Sequence, residues 1–302
     1  MMLDGKAVLV TGAGTGIGRT LALAAAEAGA SVVVNDVGAT LSGERVDIRA
    51  ADAVVEEIRA TGGRAVANTC SVSDYAGAED MVATALREFG RLDAVVNNAG
   101  ILRDSFFHRM TPEDFDAVVK VHLYGSFNTS RAAAAAFRDQ GAGSYVHMTS
   151  TSGLIGNLAQ ANYSAAKLGI VALSKSIALD MARWHVRSNC VAPFAWSRMT
   201  SNIKVDSDEQ KARVAKLREM KPERIAPLVT YLASDYGQGV TGQVFSVRNN
   251  EIFLMSQNRP LRSVHRDGGW TAETVAQHAM PALERSFIPL DVSSDVFSWD
   301  PV

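Results

Sequence analysis

Tyr163 and Lys167 lie four residues apart in a stretch of helical composition, so both side chains are expected on one helix face. A tyrosine hydroxyl, with a pKa of about 10 in model peptides, is a poor base at neutral pH. A lysine ammonium one turn away stabilises the phenolate and lowers that pKa. Ser150 ends a predicted strand, where its hydroxyl can bind a substrate oxygen. The three residues therefore predict proton transfer at an alcohol or carbonyl oxygen.

A glycine-rich loop at residues 11–18, TGAGTGIG, joins the first predicted strand to the first predicted helix. Its glycines let the backbone turn sharply and let a pyrophosphate approach the N–H groups at the helix N-terminus. Asp36 ends the second predicted strand, where a carboxylate can accept hydrogen bonds from an adenosine ribose. The same carboxylate would repel a 2′-phosphate, and neither Thr15 nor residues 35–39 supply a positive charge. The sequence therefore predicts a dinucleotide site that prefers NAD to NADP.

Short β-branched runs alternate with longer Ala-rich stretches over the first two thirds of the chain, which is typical of βαβ units around a parallel sheet. Several runs are almost entirely apolar, as expected for strands that helices cover on both faces. Strands are predicted at 6–11, 31–36, 64–70, 94–97, 144–149, 186–192 and 243–247. Helices are predicted at 16–28, 51–61, about 74–89 and 163–182, with another beginning after the N-cap Thr111.

These elements predict an α/β fold with a doubly wound parallel sheet of Rossmann type and helices on both faces. We expect one domain over residues 1–247, which includes a substrate lid at about 197–221, and a C-terminal extension over residues 248–302. The extension has no βα rhythm. A packing role, contact with a second subunit and a place at the substrate mouth are the alternatives for it.

The composition narrows the function classes. Thirty basic and 32 acidic residues give a net charge of −2, so no overall field attracts nucleic acid. No apolar run approaches the roughly 20 residues that span a bilayer, and residues 1–6 do not begin a signal peptide, so we expect a cytoplasmic protein without membrane insertion. Cys70 and Cys190 each fall in a predicted buried strand and are interpreted as reduced core thiols. The six histidines and two cysteines do not fall at ligand spacing, so no metal is expected.

The chain resembles the short-chain dehydrogenase/reductase family over residues 5–247. The resemblance lies in TGAGTGIG, in NNAG at 97–100, in Ser150 and in YSAAK at 163–167. It implies that Tyr163 transfers the proton, that Lys167 also holds the nicotinamide ribose, and that Ser150 positions the substrate oxygen. The implied catalytic residues are Ser150, Tyr163, Lys167 and His122, and the first two also bind substrate. The implied cofactor-binding residues are Gly12, Thr15, Gly16, Ile17, Gly18, Asp36, Ser71, Val72, Asn98, Ala99, Gly100, Tyr163, Lys167, Pro193 and Ala195.

Further strings, among them VVNNAGILRD at 95–104 and AQANYSAAKLG at 159–169, resemble one branch of that family. The branch is the dehydrogenase unit of peroxisomal multifunctional enzymes of type 2, which oxidises (3R)-3-hydroxyacyl-CoA esters with NAD and is also described as a 17β-hydroxysteroid dehydrogenase. It implies a 3-hydroxyacyl-CoA substrate, with bulky or sterol-derived acyl groups included. A hydroxysteroid or another hydrophobic secondary alcohol is the alternative, and a non-catalytic NAD sensor is a remote one. The family also implies a homodimer or homotetramer.

Some positions depart from the family pattern. His122 stands where many members have an asparagine that organises a proton-relay water, so we expect His122 to continue the proton path. Ser71 stands where many members have an aspartate, and Pro193 is followed by Phe194 and Ala195 where a glycine is usual. The lid carries basic residues that form either a solvated helix face or a binding surface for CoA phosphates. They are Lys204, Lys211, Arg213, Lys216 and Arg218.

Overall fold

The structure is a computed structural model that describes residues 1–40, 42–44, 49–195 and 208–302, without the side chains of 208–210, 212 and 213. Within these ranges eight strands form one sheet in the order β3-β2-β1-β4-β5-β6-β7-β8. All neighbours are parallel except β8, which runs antiparallel to β7. The strands are β1 Ala7–Thr11, β2 Ser31–Asn35, β3 Arg64–Asn68, β4 Ala94–Asn97, β5 Gly143–Met148, β6 Val186–Phe194, β7 Val244–Arg248 and β8 Glu251–Leu254.

Helices cover both faces of the sheet. Those of the main body are α1 Gly16–Glu27, α2 Ala50–Ala60, α3 Tyr75–Phe89, α4 Pro112–Val119, α5 Gly125–Gln140, α6 Thr151–Leu154, α7 Ala161–Asp180, α8 Asp208–Arg218 and α9 Ala226–Ala233. Near the C-terminus follow α10 Ala272–Thr274, α11 Met280–Glu284 and α12 Ser293–Val296. One core cluster packs β1 and β2 against α1, α2 and α9, and a second packs the opposite face against α3 and α5. The predicted doubly wound parallel sheet is therefore confirmed.

The strand order reverses between β1 and β4, since β2 and β3 lie on one side of β1 and all later strands lie on the other. In open parallel sheets such a reversal opens a crevice at the carboxyl ends of the strands. The glycine loop follows β1, Asn98 follows β4, and Ser150 follows β5 within two residues. The topology thus brings distant parts of the sequence to one edge.

A π-helical turn, Lys120–Tyr124, connects α4 to α5 without a break. As predicted, Thr111 caps α4, where its hydroxyl accepts a hydrogen bond from the Asp114 N–H over 3.1 Å. The π turn contains His122 and is not predicted by the sequence pattern. Such single turns often occur at functional sites because they reorient one side chain without ending the helix.

Two predictions about the strands need correction. Cys70 does not lie in a buried strand: β3 ends at Asn68, and Cys70 is partly exposed beyond it. The ladder stops there because Asn35 and Asn68 supply the hydrogen bonds instead, with the Asn68 amide oxygen accepting from the Cys70 N–H over 3.0 Å. In addition, β8 follows β7 after a hairpin at Asn249, which has a φ of 52°. The extension therefore begins as an edge strand of the same sheet, whereas the domain boundary at residue 247 stays a prediction.

The last ten residues of the chain fold back over the carboxyl edge of the sheet. The Ser293 N–H donates to the Gly156 carbonyl over 3.0 Å, just after α6. The Phe297 ring packs edge-on against Phe194 at the end of β6, with 4.9 Å between the ring centroids. The Asn250 N–H donates to the carbonyl of Val302. This C-terminal segment therefore lies beside the loops that follow β5 and β6.

Within the described ranges, no helix is both long and apolar enough to cross a membrane. The same ranges hold no group of three or more His, Cys, Asp or Glu side chains that could bind a metal ion.

Candidate active site

A cavity of about 660 Å³ lies at the carboxyl edge of the sheet. It is lined by every residue that the sequence assigns to cofactor binding, and also by His122. The predicted residues at this cavity are Gly12, Thr15, Gly16, Ile17, Gly18, Asp36, Ser71, Val72, Asn98, Ala99, Gly100, Tyr163, Lys167, Pro193 and Ala195. Ser150 is not among the lining residues, although it lies next to the cavity through its contact with Tyr163.

The glycine loop has the shape that a pyrophosphate needs. Gly12 and Gly16 have φ values of 62° and 56°, which favour glycine. A Cβ on Gly18 would lie 2.0 Å from the Gly12 carbonyl oxygen, so any side chain there would force the loop open. A Cβ on Gly16 would meet only open space, and the side chain of the N-cap Thr15 does not bond the first turn of α1. The first N–H groups of α1 can therefore bind a phosphate, so the residues fit a dinucleotide.

Asp36 directly follows β2 and contacts the glycine loop. Its two carboxylate oxygens accept backbone hydrogen bonds, from Gly14 over 2.8 Å and from Gly38 over 2.7 Å. A Cβ on Gly14 would lie 2.8 Å from the carboxylate, so the glycine allows the close approach. Asp36 therefore both faces the cavity and holds the loop against the end of β2.

Tyr163 and Lys167 lie on α7 and are brought together under the cavity. The Lys167 ammonium is 5.5 Å from the centre of the Tyr163 ring and donates to the Met148 carbonyl over 2.6 Å. Burial lowers the pKa of Lys167 to about 7. Burial also raises the pKa of Tyr163 to about 12, while the Ser150 hydroxyl lowers it and the Asp104 carboxylate raises it. Desolvation thus outweighs the lowering of the Tyr163 pKa that the sequence predicts from Lys167.

Ser150 is the N-cap of α6, where its hydroxyl oxygen accepts a hydrogen bond from the Ser152 N–H over 3.2 Å. The same hydroxyl stabilises the phenolate of Tyr163. One long-range contact and one local contact hold the helix behind this pair in place. The Thr149 hydroxyl donates to the Lys167 carbonyl over 2.7 Å, and the Asn162 amide oxygen accepts from the Tyr163 N–H over 2.7 Å.

His122 is buried edge-on to Tyr163, with 5.2 Å between the ring centroids. Its Nε2 lies 2.8 Å from the Ile101 carbonyl oxygen and 3.1 Å from the Ile101 nitrogen. Its Nδ1 is buried without a hydrogen-bond partner among the described residues. Burial, and then the charge of Lys167, lower the pKa of His122 to about 3. The ring is therefore neutral at physiological pH, and its part in a proton path stays a prediction.

The cavity is also lined by residues that the motifs do not single out. Ala39, Thr40 and Gly43 belong to a polar insertion in the sequence at residues 37–49, after β2, and form part of the wall. The Arg103 side chain donates to the Ser42 carbonyl over 3.3 Å and so ties the insertion to the loop after β4. The insertion is visible in the sequence, but its place over the cavity depends on this long-range contact.

The first part of the predicted lid, residues 197–207, lies outside the described ranges. Among its basic residues, Lys204 and the side chain of Arg213 fall outside them as well. Lys216 lies on α8 and forms an ion pair of 2.7 Å with Asp300 near the C-terminus. Lys216 thus links the lid helix to the C-terminal segment, and both alternatives for the basic residues stay open.

Comparison with known proteins places the chain in a family. The sequence model of the short chain dehydrogenase family matches residues 6–210. A hydroxyacyl-CoA dehydrogenase of Mycobacterium tuberculosis is 39% identical over 311 residues, which cover 99% of this chain and 86% of that protein. The peroxisomal hydratase-dehydrogenase-epimerase of Neurospora crassa is 44% identical over 259 residues, 86% of this chain. The aligned part is only 28% of that longer enzyme.

A solved structure shares the fold. It is that of 7α-hydroxysteroid dehydrogenase with NADH and 7-oxo glycochenodeoxycholic acid, which superimposes with a TM-score of 0.72 at 30% identity. The similarity covers 81% of this chain and 93% of the other. Together with the match over residues 6–210, these findings confirm the resemblance. The chain belongs to the short-chain dehydrogenase family, as an oxidoreductase of nicotinamide-dependent type that acts on CH–OH groups.

Proposed function

We propose that the chain is an NAD-dependent dehydrogenase that interconverts (3R)-3-hydroxyacyl-CoA and 3-oxoacyl-CoA. The observation that carries the chemistry is the buried Lys167 ammonium 5.5 Å from the centre of the Tyr163 ring, with the Ser150 hydroxyl lowering the pKa of Tyr163, at the edge of a cavity that fits a dinucleotide. The substrate class rests on the similarity, over 99% of this chain, to a protein named as a hydroxyacyl-CoA dehydrogenase.

The side chains have separate roles in this proposal. Bound NAD supplies the acceptor for the hydride that leaves the carbinol carbon. Tyr163 takes the hydroxyl proton in the oxidative direction, and Ser150 donates a hydrogen bond to the same substrate oxygen. One of the three N–H groups of the Lys167 ammonium donates to the Met148 carbonyl. The other two are free to donate to a ribose hydroxyl and towards Tyr163. His122 positions the ring of Tyr163 as a neutral neighbour.

The preference for NAD over NADP rests on the charges around the cavity. The carboxylate of Asp36 faces the position of an adenosine ribose and would repel a 2′-phosphate. Besides Lys167, two cations among the described residues line the cavity, and both are engaged by carboxylates. Arg103 lies 3.4 Å from Asp114, and Lys120 lies 2.7 Å from Asp116. The carboxylate of Asp36 therefore disfavours a phosphate at this position.

A hydroxysteroid substrate is the second candidate. It is favoured by the similarity to the 7α-hydroxysteroid dehydrogenase structure, which holds a bile acid derivative. A panel of (3R)- and (3S)-3-hydroxyacyl-CoAs and hydroxysteroids, each with NAD and with NADP, separates the two through the absorbance of the reduced nicotinamide. We expect turnover of the (3R)-acyl-CoAs with NAD. Turnover of free steroids alone would overturn the acyl-CoA proposal, and a preference for NADP would overturn the argument from Asp36.

The remote alternative is a protein that senses NAD without catalysis. Tyr163→Phe removes the proton acceptor and leaves the glycine loop intact, so we expect loss of turnover with unchanged NADH binding by fluorescence titration. The matched control is Tyr236→Phe, since Tyr236 is 72% exposed and lies outside the cavity. Wild-type turnover by Tyr163→Phe would overturn the assigned chemistry.

Self-association and location also stay proposals. Exposed apolar side chains lie on three helices, with Phe115 on α4, Phe127 on α5 and Leu168 on α7, and α4 packs against α7. A second subunit would bury such surface, so we propose a homodimer or homotetramer, which light scattering after gel filtration measures. A cytoplasmic location stays a prediction because the Neurospora relative is named as a peroxisomal enzyme.

A further inference from the structure

A chain of side-chain hydrogen bonds leads away from Ser150. The Ser150 hydroxyl donates to the Ser152 hydroxyl over 3.2 Å, and the Ser152 hydroxyl donates to the Gln160 amide oxygen over 2.8 Å. The Gln160 amide nitrogen donates to the Asp104 carboxylate over 2.8 Å. A side branch comes from Asn157, whose amide nitrogen donates to the Ser152 hydroxyl over 2.8 Å.

The carboxylate at the far end sets the direction of every bond in the chain. An ionised carboxylate only accepts, so the Gln160 amide turns its nitrogen to Asp104 and its oxygen to Ser152. The Ser152 hydroxyl must then give its single proton to Gln160. The Ser152 hydroxyl can therefore only accept from the Ser150 hydroxyl, and the hydrogen bond that Ser150 accepts from Ser152 comes from the backbone N–H alone.

Two hydrogen bonds tie the loop that carries Asp104 to the segment that carries Gln160. The loop after β4, which carries Asp104, is pinned by the Asn162 amide nitrogen, which donates to the Arg103 carbonyl over 2.9 Å. The Ser105 N–H also donates to the Ala159 carbonyl over 2.9 Å, one residue before Gln160. Ser152 is buried, so water does not readily replace its partners. The arrangement is thus built into the fold.

Of the four hydrogen bonds, the one that Ser150 donates is the longest, with 3.2 Å between the Ser150 and Ser152 oxygens. When Ser150 turns this proton towards a substrate oxygen, Ser152 keeps two partners, Asn157 as donor and Gln160 as acceptor. The turn therefore leaves no buried hydroxyl without a hydrogen bond. We propose that Ser152, Gln160 and Asp104 are positioning residues that keep Ser150 a hydrogen-bond donor towards the reacting oxygen, an inference that rests on the proposed function of Ser150 and Tyr163.

The proposal predicts two opposite shifts of the pH–kcat profile of oxidation, a reaction in which Tyr163 acts as the base. The Ser150 hydrogen bond lowers the pKa of Tyr163, and the Asp104 charge raises it. Loss of the Ser152 hydroxyl that positions Ser150 should therefore move the rising limb of the pH–kcat profile to higher pH. Removal of the Asp104 charge alone should move the limb to lower pH. A purely structural role would move neither.

The first test compares Ser152→Ala with Ser164→Ala, in the oxidation of (3R)-3-hydroxybutyryl-CoA by NAD. Ser164 is the matched control, because its buried hydroxyl has no hydrogen-bond partner among the described residues. We expect Ser152→Ala to lower kcat about tenfold, to leave the KM for NAD within about twofold, and to move the limb to higher pH. Ser164→Ala should match the wild type.

The second test is a matched pair at Asp104. Asp104→Asn and Asp104→Ala both remove the charge, but only asparagine keeps an oxygen that can accept from Gln160. We expect plateau kcat values within about twofold of the wild type for Asp104→Asn and about fivefold lower for Asp104→Ala. NADH binding by fluorescence should be unchanged in both, which shows that each variant is folded.

The outcomes separate this inference from the proposed function. If Tyr163→Phe abolishes turnover while Ser152→Ala matches Ser164→Ala, the positioning chain is wrong and the chemistry stands. Equal kcat values for Asp104→Asn and Asp104→Ala would also overturn the chain. If Tyr163→Phe turns over like the wild type, the proposed function itself fails. If the wild type oxidises only a hydroxysteroid, the same variants are compared on that steroid.

Discussion

The ammonium group of Lys167 is anchored to the carbonyl oxygen of Met148 over 2.6 Å in a site that leaves the lysine only 4% exposed. Burial lowers the pKa of Lys167 from 10.5 to about 7. Between these values the unfolded chain binds more protons than the folded chain, so stability rises as the pH rises across that window. The buried lysine therefore costs stability at and below neutral pH.

Lys167→Met should raise the free energy of unfolding of the protein without cofactor at pH 7. The gain should be about 2 kcal/mol smaller at pH 9, because the wild type then no longer carries the full cost of the buried charge. Urea denaturation at the two pH values measures both quantities. A difference between variant and wild type that is the same at pH 7 and pH 9 would contradict the buried charge.

Gly100 and His122 should be coupled in stability. A Cβ on Gly100 would lie 2.3 Å from Cε1 of His122, and the ring cannot retreat without losing its contact with Ile101. We expect Gly100→Ala to destabilise the protein by about 2 kcal/mol, and by much less in a His122→Ala background. Chemical denaturation of the two single variants and the double variant gives the coupling energy. Additive effects would show that the ring is not the obstacle.

Asp36→Asn should shift the cofactor preference. The change removes the negative charge at nearly constant size, so the ratio of kcat/KM for NAD to that for NADP should fall about tenfold, equivalent to about 1.4 kcal/mol. Steady-state kinetics with both cofactors measures the ratio. Asp52→Asn, at an exposed position in the first turn of α2, is the control and should keep the wild-type ratio. An unchanged ratio in Asp36→Asn would rule out the charge as the discriminating feature.

Arg187 should stabilise the fold at a distance from the cavity. Its buried guanidinium donates to the carbonyls of Leu232, Ser234 and Gly237 and thereby closes the C-terminal end of α9. Arg187→Met leaves these acceptors without their donor, so we expect a loss of roughly 2–4 kcal/mol and a Tm lower by at least about 5 °C. Scanning calorimetry measures the Tm, with the exposed Arg183→Met as control. A wild-type Tm in Arg187→Met would contradict this role.

Local pattern is sufficient to predict most of the sheet, because strands covered on both faces are apolar throughout, as β1 is. The glycine loop and Asp36 are predicted for a similar reason: the residue types that a dinucleotide requires stand next to the strand ends that position them. Tyr163 and Lys167 can also be predicted from the sequence, since a spacing of four residues on a helix places both on one face.

The remaining features depend on contacts between distant residues. The direction of the pKa shift at Tyr163 follows from burial, which no spacing reveals. The chain from Ser150 to Asp104 joins the loops after β4 and β5, and the chemical types of its members occur on any protein surface. The strand β8 is short and alternates between half-buried and exposed residues at the sheet edge, so its composition resembles that of a loop.

A π turn holds five residues in roughly the rotation that four residues make in an α-helix, so loss of one residue at Lys120–Tyr124 would restore regular α-helical geometry and leave α5 nearly in phase with α4. The turn therefore adds one residue to the helix locally, at His122, and leaves the packing of α5 unchanged.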